Sequence, residues 1–456
     1  MAIKVCMVSL GCSKNLVDSE RMLAKIRSHG YELVVEYGLS DVTVINTCGF
    51  IQSAKEEAIR YILEVAKLKQ EGTIKKIIVT GCLAERYKDE MAKEFPEVDA
   101  IIGLGNEVDI VDIIDRTLAS ENIVNFDSKY NLALTGNRII STLPFFAYLK
   151  IAEGCSNRCS YCAIPNIRGN YRSVPMEDVL KEAKWLAENG VTELIVIAQD
   201  TTRYGYDLYK QYKLPELLTE LCKIDGLKWI RILYCYPEKI TDELLDVIAK
   251  EDKIVKYLDI PIQHCNETIL KNMRRGGNEQ SLRALFKKIR NKIPTITLRT
   301  TLITGFPQET EEQFNELAEF VKDIHFERLG CFPYSQEEGT PANEMDGQVD
   351  EEVRSHRADI IMEQQMVIND ETNQDKLNKV VEVVVEGYDE NAGYEEFPGC
   401  FFGRTQADAP DIDGKVYFDY DKPLSIGQYI KVLVKDIVYH DGLFGDLYGV
   451  VVEDET

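Results

Sequence analysis

Gly154-Cys155-Ser156-Asn157-Arg158-Cys159-Ser160-Tyr161-Cys162 sets three thiols in C-x-x-x-C-x-x-C spacing, just after the apolar run from Phe145 to Ile151. Soft thiolates select zinc or iron–sulfur clusters. A structural site normally closes its coordination with four protein ligands, whereas a working site keeps one position open. Three cysteines with no fourth ligand nearby therefore describe a four-iron cluster with one iron free to hold a small molecule. A zinc knuckle needs a fourth Cys or His at matching spacing, and the nearest histidine is His264.

Downstream of this loop, strand-like runs recur near 145–151, 193–198, 229–233, 256–260, 295–303 and 328–332, with helical patterns between them. That alternation predicts parallel strands joined by crossover helices. Six units are two short of a closed eightfold barrel. The expectation is an open, partial (βα)6 TIM-like barrel over residues 140–378, with its ligands at the carboxyl ends of the strands. Residues at those ends are cofactor-binding candidates: Ile164 beside the third cysteine, Gln199 and Asp200 after the second strand, Gln263 after the fourth. Arg299 falls inside the fifth strand, where a barrel interior is normally apolar. A charge there needs a partner, either a cofactor carboxylate or one of the chain's own. Cys222, Cys235, Cys265 and Cys331 have no ligand spacing and are expected to be ordinary interior residues.

Upstream, residues 1–135 repeat one pattern three times. Strands at 3–10, 42–47 and 76–80 lead to Cys12, Cys48 and Cys82, and a helical stretch follows each. In a parallel sheet the carboxyl ends of the strands share one edge, and ligands collect there. These thiols are thus expected to meet although 36 and 34 residues separate them. Helix N-termini beside them favour thiolate. With no fourth ligand again, the expectation is a second, auxiliary four-iron cluster. Cys6 lies within its strand and reads as core.

Past a linker punctuated by Gly339 and Gly347, a polar-faced helix is expected over 350–377, packed back across the barrel. Alternating runs from Val381 then predict a small antiparallel β-barrel over 379–456. The chain carries a net charge of −24, and residues 381–456 hold 17 Asp/Glu against 5 Lys/Arg. Such acidity argues against non-specific nucleic-acid binding, which requires a basic surface. The acidic stretch is either a solvated, solubilising surface or a docking face for a basic partner, with Asp408, Asp411 and Asp413 as the candidate face. No long uncharged apolar window exists and the N-terminus reads as a strand, so a cytoplasmic protein without membrane association is expected. Twelve cysteines then point to metal rather than disulfides.

The cysteine loop resembles the signature of the radical S-adenosylmethionine superfamily, with Tyr161 at its aromatic position. The segment Leu302-Ile303-Thr304-Gly305-Phe306-Pro307-Gln308-Glu309-Thr310 resembles that superfamily's glycine-and-proline stretch. This implies that Tyr161, Gly305 and Pro307 lie along the cofactor. Two three-cysteine sites in this order resemble the methylthiotransferases. Ser9-Leu10-Gly11-Cys12-Ser13-Lys14-Asn15-Leu16-Val17-Asp18-Ser19-Glu20 is similar to the RimO branch, which modifies an aspartate of small-subunit ribosomal protein S twelve; Ser13 departs from the proline often found there. The C-terminal stretch resembles a TRAM domain.

The resemblance implies two 4Fe-4S clusters and S-adenosylmethionine in two roles. One molecule methylates sulfur associated with the auxiliary cluster. The other yields the radical that takes hydrogen from the aspartate β-carbon, a position where a general base has no useful acidity to exploit. Catalytic residues beyond the cluster ligands are therefore not expected. The implied partners are the basic ribosomal protein S twelve and an external electron donor, with the sulfur donor unspecified and nucleic acid met only through the ribosome. The alternatives are a tRNA-adenosine methylthiotransferase, disfavoured by the acidic tail, and a non-catalytic iron–sulfur protein docking on ribosomes.

Overall fold

The computed structural model describes residues 2–390, 399–439 and 445–453. Strands β1 (Lys4–Ser9), β2 (Glu32–Val34), β3 (Val42–Thr47), β4 (Lys76–Gly81), β5 (Ala100–Ile102) and β6 (Ile123–Asn125) form one parallel sheet in the order β2-β1-β3-β4-β5-β6. β3 reads Val-Thr-Val-Ile-Asn-Thr and is buried at every position, as a strand covered on both faces must be. From β1 the chain steps to β2 on one side and returns to β3 on the other. The gap between β1 and β3 is therefore the switch point, where a ligand crevice opens. Helices α1 (Ser13–Ser28), α2 (Gln52–Gln70) and α3 (Cys82–Glu94) follow β1, β3 and β4, which brings the three cysteine-bearing turns to that edge.

β7 (Phe146–Lys150) begins the second sheet, and the short pair β8 (Ala152–Glu153) and β9 (Arg172–Ser173) brackets the cysteine loop. β10 (Glu193–Ile197), β11 (Trp229–Ile232), β12 (Ile254–Asp259), β13 (Thr297–Thr304) and β14 (Arg328–Pro333) complete six parallel strands in consecutive order, open between β7 and β14. This is the partial barrel the sequence predicts. Alternation divides its side chains. Ala147, Leu149, Leu194, Val196, Ile230 and Ile232 pack beneath the helices, while Phe146, Tyr148, Ile195, Trp229, Val255 and Tyr257 line the inner face. An open barrel would leave that inner face wet. Val17 of α1 on one side, and Val384 and Ala409 of the C-terminal region on the other, join the same apolar cluster and cover it.

The helix Glu351–Gln374 packs along β14 and reaches the C-terminal barrel. There β15 (Val380–Asp389), β16 (Cys400–Arg404), β17 (Val416–Asp419), β18 (Tyr429–Tyr439) and β19 (Gly445–Val451) close in the order β15-β16-β17-β19-β18. Val383, Val385, Val416, Phe418, Val432 and Val434 fill its core.

The connection from Arg404 to Asp413 plugs the central barrel, and this corrects two expectations. Asp408 is 2% exposed and sits 2.5 Å from Arg328, while Thr405 Oγ1 donates to its other oxygen at 2.6 Å. Asp413 accepts from the Tyr257 hydroxyl at 2.7 Å. Of the three aspartates expected to face a partner, only Asp411 is exposed. Arg299 finds carboxylates of the chain, Asp259 at 3.0 Å and Asp413 at 3.6 Å, rather than standing free for a cofactor. Arg404 likewise pairs with Glu193, which Arg231 holds from the other side at 3.0 Å. The reason is physical: the barrel's inner face buries charges, and each requires a partner that water no longer provides. The acidic connection supplies them.

Candidate functional site

Cys12, Cys48 and Cys82 come together at the switch point. Gly11, at φ +84°, lies so close to the second thiol that a Cβ added there would stand 2.8 Å from Cys48 Sγ. Asn15 ties the strand ends in place. Its amide donates to Leu10 O at 2.9 Å and to Thr47 O at 3.1 Å, and its Oδ1 faces Cys82 Sγ at 3.9 Å. Cys48 and Cys82 are buried and Cys12 is exposed. Burial pushes the Cys82 thiol up to about 12, with Arg168 acting in the opposite direction; Cys48 and Cys12 both lie close enough to raise it further, and Cys12 likewise raises Cys48. A bound cluster reverses that burial effect, because a coordinating thiol is deprotonated by the metal's charge.

The second trio follows β8. The Cys155 amide donates to Gly169 O at 3.0 Å, the Cys162 amide to Cys159 O at 3.1 Å, and Ser160 Oγ to Asn272 O at 2.7 Å. Cys159 Sγ lies 3.5 Å from the Tyr236 hydroxyl. Cys162 is influenced by both Cys159 and Cys155, so these thiols also share one site. Among the described residues, no three or more His, Cys, Asp or Glu close around a single ion. A four-iron cluster is wider than an ion, and its ligands ring it instead. Two sets of three convergent free thiols are the donors such clusters require.

The other candidates divide. Tyr161 packs with Ile269, Met273, Phe306 and Tyr334 beneath the cysteine loop, and its hydroxyl lies 3.5 Å from Arg275. Ile164 opens the helix Ile164–Arg168. Gln199 Oε1 is buried without a partner at the end of β10, the mark of a group left for a ligand. Gln263, at φ +71°, joins β13 through its backbone and is nearly buried. Pro307 is buried in the turn after β13.

Asp200 has partners within the chain. Its buried carboxylate already accepts from Lys239 at 2.6 Å, Asn157 at 2.8 Å and Thr202 at 2.6 Å, so it positions the cysteine loop through Asn157. Gly305 also packs within the chain. A Cβ there would overlap Arg354 Cγ and lie 2.7 Å from Arg354 Cβ; the close approach it permits is to the chain's own helix.

Sequence reasoning missed the connection between the two trios. Arg168, six residues past Cys162, is fully buried and donates to Asp18 at 3.0 Å, Glu153 at 2.9 Å and Asn15 at 2.8 Å. Lys150 pairs with the same Asp18 and with Glu153 at 2.8 Å. Burial and the nearby Asp18 push Glu107 up to about 8. Asp18 belongs to α1, Lys150 to β7, and Arg168 to the cysteine loop's own helix, so one charge network pins both trios. Proximity to the motif was the available signal for Arg168. Nearby, Lys55 and Arg86 hold buried Glu337 at 3.1 and 2.7 Å, clasping the loop after β14 to the first sheet.

Family models match in three blocks: Uncharacterized protein family UPF0004 over residues 4–103, Radical SAM superfamily over 149–321, and TRAM domain over 367–452. The ribosomal protein uS12 methylthiotransferase RimO of Clostridioides difficile is 48% identical over 446 residues, spanning 98% of this chain and 99% of that one. The chain belongs to the RimO methylthiotransferase family. A second RimO, from Lachnoclostridium phytofermentans, is 49% identical over 96% of this chain and 99% of its own length. Among solved structures, the radical S-adenosylmethionine methyltransferase TsrM of Kitasatospora setae aligns with a TM-score of 0.56 at 13% identity, covering 72% of this chain and 73% of that one. At that identity the likeness speaks for the fold alone. It matches the arrangement of a RimO-family chain in which a sheet domain stands beside an open barrel.

Proposed function

We propose that this chain, divided as 1–135, 140–378 and 379–456, attaches a methylthio group to the β-carbon of an aspartate in ribosomal protein uS12. The enzyme is a radical S-adenosylmethionine transferase. Cys155, Cys159 and Cys162 hold one 4Fe-4S cluster, and Cys12, Cys48 and Cys82 hold the other. The observation that carries this reading is the pair of three-thiol sites joined by one buried network. A chain that only carried electrons would have no need to leave each site a ligand short.

When bound beside Cys155, Cys159 and Cys162, S-adenosylmethionine would supply hydrogen-atom abstraction from an unactivated carbon, which no side chain offers. The residues around it bind and exclude water. Tyr236 faces the Cys159 sulfur, and Gln199 Oε1 is free to accept from the cofactor. Tyr161 walls the loop beneath, while the Glu337 clasp shuts the domain seam beside Cys48. Reduction comes from an external donor, and the setting is the cytoplasm. No helix among the described residues is long and apolar enough to cross a membrane, in keeping with a ribosomal substrate.

The test is anaerobic incubation of reconstituted enzyme with S-adenosylmethionine, a reductant and sulfide, separately with uS12 and with tRNA, followed by mass measurement. Methylthiolated uS12 and unmodified tRNA is the expected result. Modified tRNA, or 5′-deoxyadenosine formed without either product, overturns the reading.

A further inference from the structure

We propose that Lys14 binds the side-chain carboxylate of the aspartate that is modified, and so selects the substrate. The inference rests on the function proposed above. Lys14 stands in the first turn of α1, two residues past Cys12, and is only 6% exposed. Its ammonium lies 2.9 Å from the centre of the Tyr234 ring. Among the described residues it has no carboxylate within ion-pair distance and no hydrogen-bond acceptor. Lys150, as deeply buried, is gripped by Asp18 and Glu153. A mostly buried lysine whose cation has only a tyrosine face beside it keeps its charge open to an incoming anion. Arg231 and Arg404 are likewise given a carboxylate, Glu193, inside the barrel, whereas Lys14 has none.

Position says which anion belongs there. Tyr234 follows β11, and two residues later the Tyr236 hydroxyl meets Cys159 Sγ. Lys14 thus lies between the two thiol sites, two residues from a ligand of one and stacked on the segment that contacts the other. A second group in the same turn is also unspent: Ser13 Oγ is buried without a partner. The reacting carbon of an aspartate is bonded directly to its carboxylate. Anchoring that carboxylate on Lys14 fixes the carbon one bond away, between the site where hydrogen is removed and the site where sulfur is delivered. The carboxylate of S-adenosylmethionine is the competing occupant, but its iron lies on the other trio, whereas Lys14 is carried by the sheet domain. The negative charge of the auxiliary trio is met from the Cys82 side by Arg168.

The test uses holoenzyme with both clusters, uS12, and uS12 bearing Asp→Asn at the position that mass spectrometry finds modified by the wild type. Equilibrium binding of both proteins is compared for wild type, Lys14→Met and Lys14→Gln, with iron content and S-adenosylmethionine affinity measured on each variant. The wild type should prefer the aspartate form by ~30-fold or more, the loss expected when one partner of a buried charge pair is removed. Both variants should bind the two forms within about threefold of each other, since no charge remains to discriminate. A variant that keeps its iron and the wild-type preference refutes the inference. Equally fatal is a loss of S-adenosylmethionine affinity with the aspartate preference intact, because the cation would then serve the cofactor. If only one variant folds, its preference decides. Should the wild type modify neither protein, the proposed function itself fails, a result distinct from modification that does not depend on Lys14.

Discussion

Replacing Asp408 by Asn separates a plug from a docking face. The Asp408 carboxylate is held down to about 2 from an ordinary 3.8: burial opposes this, but the Arg328 guanidinium, Lys376 and the Thr405 hydroxyl more than offset it. A depression of nearly two pH units corresponds to roughly 2 kcal/mol at neutral pH. Because the folded value is the lower one, that contribution is complete above pH about 4 and is lost as pH falls toward 2. The amide also strands the guanidinium of Arg328, whose side chain is 10% exposed. Breaking such a pair costs about 3–5 kcal/mol, softened here because Arg328 keeps Asn369 Oδ1 and Glu327 O, both at 2.9 Å. A loss of about 3 kcal/mol is expected.

Trp229 reports on this seam directly: it is buried, with its ring 4.8 Å from that of Tyr429 across the interface. In a Trp185→Phe background it is the sole tryptophan, and its fluorescence through urea unfolding measures how firmly the C-terminal barrel is docked. Asp411→Asn, at an exposed position, should change the transition by less than about 0.5 kcal/mol. Equal transitions for the two variants, together with weakened uS12 binding by both, would refute the plug and restore the docking face.

Other outcomes follow from the same contacts. Cys48→Ala should lower iron from about eight to about four per chain and leave 5′-deoxyadenosine formation intact, while Cys159→Ala should lose the same iron and abolish that product; iron analysis and chromatography decide. Arg168→Met removes the cation beside Cys82, so the auxiliary cluster should become harder to reduce, by about 59 mV for each tenfold change in the one-electron equilibrium. An electron-resonance titration with an unchanged potential would leave Arg168 a purely structural role. Gly305→Ala forces a Cβ into Arg354 at φ +68°, and overpacking plus a left-handed backbone should cost about 3 kcal/mol, read as a lower thermal midpoint.

What the sequence determined by itself was local or periodic. The C-x-x-x-C-x-x-C spacing states its chemistry within eight residues, and strand–helix alternation was enough to count the six barrel units and to bring Cys12, Cys48 and Cys82 to one sheet edge. Parallel strands must align their carboxyl ends, so no distance had to be known. The partners of buried charges were decided only by the tertiary structure. Asp408 and Asp413 read as a solvated acidic face because three aspartates in six residues look the same whether they meet water or Arg328. Arg168, Asp18 and Lys150 come from three separate segments, and Lys14 is an unremarkable lysine until its surroundings prove to hold no carboxylate. A charge carries no periodic signal of its burial; its environment is assembled from distant parts of the chain, and the cost of leaving water is set only when those parts meet.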